Sequence, residues 1–140
     1  MERTGRCLCG AVKFKFTSEP LAVRICWCRD CQYLAANGTV NAIVPTDSLE
    51  VAGDLAEYTN EADSGNQLTR QFCPRCGTHL FGISSARPHF RVVRTGSLDD
   101  PSSITPGVNI WTTSAPHWAH LDHALEQVER QPLAAKPRTE

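Results

Sequence analysis

Between positions 11 and 16 the chain alternates strictly. Val12, Phe14 and Phe16 fall on one face, and Lys13 and Lys15 on the other, the period of a half-buried β-strand. Residues 40–44, 67–72, 80–83 and 90–95 are rich in β-branched and aromatic side chains and read as further strands. Turn chemistry separates them: Ser18-Glu19-Pro20, Asn37-Gly38, Pro45-Thr46-Asp47, Ser64-Gly65-Asn66 and Asp99-Asp100-Pro101. Two helices are expected. A short one over 29–36 would stop at Asn37-Gly38. A longer one over 120–130 has Leu121, Leu125 and Val128 at helical spacing and is ended by Pro132. The fold class this predicts is mostly β with short helices. Residues 1–131 form one domain in this reading, and 132–140 form a disordered tail.

Composition narrows the function. A chain of 140 residues with 41% hydrophobic positions builds a core without metal to hold it together. Lys+Arg number 14 against Asp+Glu 15, a formal net charge of -1, so no basic footprint for nucleic acid or an anionic membrane is visible. No apolar run approaches the roughly 20 residues of a membrane span, and the charged start MERTGRCLCG lacks a signal-peptide core. The expected location is the cytoplasm, with neither nucleic acid nor membrane as partner.

Seven cysteines are many for such a chain. In a reducing compartment, and at an odd count, they read as metal ligands before they read as disulfides. They fall into Cys7-x-Cys9, Cys26-x-Cys28-x-x-Cys31 and Cys73-x-x-Cys76-Gly77. The last is a zinc knuckle, with Gly77 supplying the backbone freedom of its tight turn. A tetrahedral site needs two more ligands. Cys7 and Cys9, two apart on a strand, present their sulfurs to one side and complete it. Cys26, Cys28 and Cys31 remain as a triple with one open position, the pattern of a catalytic rather than a structural zinc. A histidine could close it: His79, His89, His117, His120 and His123 are available, and the simpler reading leaves all five as ordinary surface or strand residues.

The chain resembles the glutathione-dependent formaldehyde-activating enzyme family, whose domain also occurs in centromere protein V. The matching stretches are Gly5-Arg6-Cys7-Leu8-Cys9-Gly10-Ala11-Val12-Lys13-Phe14, Cys26-Trp27-Cys28-Arg29-Asp30-Cys31-Gln32 and Arg70-Gln71-Phe72-Cys73-Pro74-Arg75-Cys76-Gly77-Thr78. Weaker matches are Thr95-Gly96-Ser97-Leu98-Asp99-Asp100 and Ile110-Trp111-Thr112-Thr113-Ser114 with Trp118. The resemblance implies an Mss4-like β-rich zinc-binding fold. It implies a structural zinc on Cys7, Cys9, Cys73 and Cys76, and a second zinc on Cys26, Cys28 and Cys31 completed by water. It implies a carbon–sulfur lyase that condenses glutathione with formaldehyde to S-(hydroxymethyl)glutathione. Two positions depart from the family's usual pattern: Trp27 and Asn109 stand where histidine is common.

On this reading Cys26, Cys28 and Cys31 are the catalytic residues, their zinc binding a thiol that attacks an aldehyde. Glutathione carries two carboxylates, so cations beside the metal motifs (Arg29, Arg70 and Arg75) are candidate contacts. Trp27 either walls the pocket or packs in the core, as do Trp111 and Trp118. The loop 60–66 is placed to cover the pocket. Three other readings stay open: a glutathione- or thiol-binding zinc protein without turnover, a zinc-ribbon-like interaction module, and a redox sensor built on the triple.

Overall fold

The computed structural model describes residues 1–132; almost all of the tail expected over 132–140 lies outside them. The fold is mostly β. Its strands are β1 (Arg3–Arg6), β2 (Lys13–Phe16), β3 (Ala22–Cys26), β4 (Thr39–Pro45), β5 (Leu49–Ala52), β6 (Ala56–Glu61), β7 (Gln67–Phe72), β8 (His79–Ser84), β9 (Phe90–Arg94), β10 (Val108–Ile110) and β11 (Glu126–Gln127). The one α-helix among the described residues, α1 (Arg29–Ala35), follows β3, and the other helical pieces are 3-10 turns of three residues.

The strands form two sheets. The smaller is antiparallel in the order β1-β2-β5, and the larger runs β11-β10-β3-β4-β9-β8-β7-β6. Phe14 and Phe16 turn inward from β2 while the lysines between them stay in water. Their partners are Ala42, Val44, Phe81 and Val93 on one face of the large sheet. The Phe14 and Phe81 rings meet edge to face at 5.1 Å, and each buried ring contributes about 2 kcal/mol. Gly5 on β1 is required by this contact: a Cβ there would stand 2.3 Å from Phe14 Cζ and 2.5 Å from the Ser97 carbonyl oxygen.

The alternation that sends Ala42 and Val44 to the core sends Thr39, Asn41 and Ile43 to the opposite face. That face, with Arg24 and Cys26 of β3 beside it in register, carries the candidate site.

The segment 120–130 is not a helix. Asp122 accepts hydrogen bonds from the Ala124 N–H through its side chain (2.9 Å) and the Leu125 N–H through its carbonyl (3.1 Å), forming a turn. The chain then runs parallel to β10, with Glu126 N–H donating to Gly107 O (3.3 Å) and Val128 N–H to Asn109 O (2.8 Å). An open sheet edge with unpaired backbone groups outweighs a weak helical pattern that has only three apolar positions. Helix α1 stops on Ala36 in the left-handed conformation, one residue before the expected Asn37-Gly38.

Candidate functional site

Cys7, Cys9, Cys73 and Cys76 bring their sulfurs within 4.8 Å of one another. Cys7 Sγ lies 3.6 Å from Cys9 Sγ, and Cys9 Sγ 3.8 Å from Cys73 Sγ. Four sulfurs about 2.3 Å from a tetrahedral zinc stand about 3.8 Å apart, so the donor set fits that ion. Cys7 and Cys9 are not on a strand as expected. β1 ends at Arg6, and the pair sits in a turn closed by Gly10 N–H on Cys7 O (3.1 Å), with Gly10 at φ +82°. The second knuckle repeats the device: Gly77 N–H donates to Cys73 O (2.9 Å), with Gly77 at φ +76°. Backbone N–H groups of Val12 and Arg75 point at the sulfurs of Cys7 (3.2 Å) and Cys73 (3.4 Å). Thr78 ties the knuckles together, accepting from the Leu8 N–H (3.1 Å) and meeting Cys76 Sγ at 3.1 Å.

Cys26, Cys28 and Cys31 form the second cluster, all buried and with sulfurs within 4.8 Å. β3 ends on Cys26, Cys28 caps α1 by accepting the Cys31 N–H (3.4 Å), and Cys31 lies in the first helical turn. Thr39 Oγ1 receives hydrogen bonds from Asn41 Nδ2 (2.9 Å) and Arg94 Nη1 (3.3 Å). Both acceptor positions are filled, so its proton goes to Cys31 Sγ, 3.1 Å away. Hydrogen bonds from Cys26 and Cys28, then the Arg94 charge and the Thr39 hydroxyl, hold the Cys31 thiol down at about 2. Cys28 and Cys31, together with burial, push the Cys26 thiol up. Three thiols sharing one negative charge suit a soft cation, which would draw all three to thiolate.

The triple opens on a cavity of about 170 Å³. Ile43, Val92, Ile110 and Trp111 supply apolar wall, and Ala62, Asp63, Ser64 and Asn66 border it, whereas Asn60 and Glu61 of the expected 60–66 loop end strand β6 and are off the wall. Trp111 holds a left-handed backbone, φ 57° and ψ 37°, rare for an aromatic residue. Its indole N–H donates to Gln131 Oε1 (2.9 Å). Three arginines line the same cavity: Arg24, Arg87 and Arg94. Burial, then the neighbouring Arg87 charge, lowers the Arg24 guanidinium.

The expected substrate contacts lie elsewhere. Arg70 is buried and paired with Asp30, and neither it nor Arg29 is on the cavity wall. Arg29 is exposed, bonded to Gln32 (2.8 Å) and stacked over Tyr33. Arg75 is exposed on the knuckle. Trp27 is buried against Gly38, off the wall, and Trp118 is 56% exposed rather than core. Asn109 is 1% exposed and is also off the wall. Both departures from the family pattern are therefore outside the cavity lining. None of the five histidines joins either cluster. His79 opens β8 half-buried against Phe72. Sequence reasoning missed Arg24, Arg87 and Arg94. For Arg24 a signal existed: it stands two residues before Cys26 on a strand, hence on the same face.

A mostly β fold with two cysteine clusters able to chelate metal, one facing a cavity, defines the class of protein. The chain belongs to the glutathione-dependent formaldehyde-activating enzyme family, whose model matches residues 2–114. Membership of an enzyme family supports enzymatic activity in general. In fold the chain is similar to the crystal structure of a Rhodobacter sphaeroides protein, a structural-genomics target. The TM-score is 0.56 at 23% identity, covering 74% of this chain and 91% of that one. No curated protein matches the chain significantly. No helix among the described residues is long and apolar enough to cross a membrane.

Proposed function

We propose that this is a zinc-dependent glutathione-binding enzyme of the carbon–sulfur lyase class, joining glutathione to formaldehyde or a related aldehyde. On this proposal residues 1–131 form one Mss4-like domain working in the cytoplasm, and each chain carries two zinc ions. The observation that carries the reading is the buried triple Cys26, Cys28 and Cys31 facing a cavity, beside a separate four-cysteine cluster.

Cys7, Cys9, Cys73 and Cys76 would hold a structural ion, and Cys26, Cys28 and Cys31 an ion with one position open to a ligand. Zinc bound there supplies a Lewis acid that favours the thiolate of an incoming thiol. The chain's own residues do the rest. The Thr39 hydroxyl, fixed by Asn41 and Arg94, holds Cys31 in its ionised form. Ile110 and Trp111 keep water from the sulfur, and the cavity holds thiol and aldehyde within reach of each other.

Native mass spectrometry with and without glutathione tests this. Two zinc ions and a glutathione adduct are expected. Cys28→Ser keeps the fold, because serine also caps a helix, and it weakens glutathione binding. One zinc and no adduct would overturn the reading. Acceleration of formaldehyde adduct formation, followed by exchange NMR, tests turnover.

A further inference from the structure

Arg24 is 8% exposed, yet its guanidinium makes no hydrogen bond or ion pair with any described residue. No Arg24 nitrogen is sealed away without a partner, and its place on the cavity wall offers those free donors to whatever the cavity holds. Register fixes where it stands. Arg24 pairs with Asn41, and Asn41 with Arg94, so the three lie in one row across β3, β4 and β9. Strands are about 4.8 Å apart, which puts the Arg24 and Arg94 backbones about 10 Å from each other. Cys26 lies two residues along β3 from Arg24, about 7 Å away on the same face.

The two arginines are not equivalent. Arg94 is committed to Thr39 and Asn41. Arg24 is uncommitted, and so is the side chain of Arg87, which bonds only through its backbone: N–H to Ser84 O (3.0 Å) and O from the Phe90 N–H (3.1 Å). The one acid among the described residues that lines the cavity, Asp63, accepts the Arg29 N–H (3.1 Å).

We infer that Arg24, assisted by Arg87, is the carboxylate-reading residue of this cavity. It selects thiols that carry a carboxylate a few bonds from the sulfur over neutral thiols. The inference rests on the reading of the triple as a thiol site, and it assigns substrate recognition to residues other than Arg29 and Arg70. A guanidinium takes a carboxylate through two parallel N–H···O bonds. Ile43, Val92 and Ile110 on the cavity wall offer the connecting atoms no competing hydrogen bond.

Calorimetric titration of the zinc-loaded protein with three probes tests it: glutathione, its diethyl ester and S-methylglutathione. The diester is expected to bind at least about tenfold more weakly than glutathione, the weight of one charge-assisted contact. In Arg24→Met that ratio falls to about one, while zinc content and diester affinity stay unchanged. Arg87→Met, at the rim, lowers the ratio in the same direction and serves if Arg24→Met does not fold. Equal affinity for glutathione and diester in the unaltered protein would overturn the inference and leave thiol binding standing. S-methylglutathione separates the two readings. If it binds as tightly as glutathione and still depends on Arg24, the carboxylate site stands and the thiol site fails.

Discussion

Arg70 on β7 holds Asp30 in the first turn of α1, Nη2 to Oδ2 at 3.2 Å, with Arg70 only 2% exposed. Asn60 of β6 completes the contact, donating to Asp30 Oδ2 (3.0 Å) and accepting from Arg70. The helix that presents Cys31 is thereby fastened to the far end of the large sheet. Breaking one partner of an enclosed pair costs about 3–5 kcal/mol. The Asp30 side chain is 23% exposed, which places Arg70→Met near the lower end. Urea denaturation of the metal-loaded protein should show that loss, and adding Asp30→Asn should recover about half of it. Strictly additive losses would show that the two residues are not coupled.

Gly5 tolerates no side chain. A Cβ would meet Phe14 Cζ and the Ser97 carbonyl oxygen well inside contact distance, and the carbonyl belongs to backbone that cannot rotate away. Gly5→Ala should cost about 1–3 kcal/mol through overpacking, measured as a lower thermal midpoint. An unchanged midpoint would mean that β1 shifts freely over β2.

Strands β2, β4 and β7 to β9 were legible in the sequence because their side chains face a dry core on one side only. Val12, Phe14 and Phe16 alternate for that reason. β1, β3, β5, β6, β10 and β11 were not legible. In β3, Arg24 and Cys26 face a cavity, which erases the apolar–polar alternation. β6 is an edge strand of polar residues whose pairing depends on β7 alone. The grouping of cysteines could be read from spacing, since a metal site demands ligand number as well as identity. The arginines of the cavity could not be found by proximity in sequence. Arg29, Arg70 and Arg75 flank the motifs, but pairing across strands brings Arg94 to Asn41 and Thr39, some 50 positions away.

Ala36 ends α1 with φ 59°. An L-residue in this conformation costs roughly 1 kcal/mol relative to glycine, and Ala36 is exposed with no packing to lose. Ala36→Gly should therefore stabilise the protein by about that amount. A higher urea midpoint at unchanged slope is the expected result, and a lower midpoint would refute it.

The four-cysteine cluster should reveal its charge distribution once metal is removed. The Thr78 hydroxyl, then the backbone N–H groups of Thr78 and Cys9, hold the Cys76 thiol down at about 5. The Ala11 N–H pulls Cys9 down, but desolvation and the neighbouring Cys7, Cys76 and Cys73 push it up to about 11. Both start from 9.0, so the shifts run in opposite directions. Only the thiolate is alkylated. At pH 7 Cys76 is above its own value and ionised, while Cys9 is below its value and protonated. Lowering the pH through about 5 returns Cys76 to the thiol. Iodoacetamide labelling of metal-free protein, read by peptide mass spectrometry, should mark Cys76 well before Cys9 at pH 7. By pH 4, about one unit below the Cys76 value, Cys76 labelling should slow roughly tenfold while Cys9 stays unlabelled. Cys9 is the more exposed of the two, so labelling governed by access alone would give the opposite order. Thr78→Val removes the hydroxyl at similar volume, and it should move the onset of Cys76 labelling to higher pH.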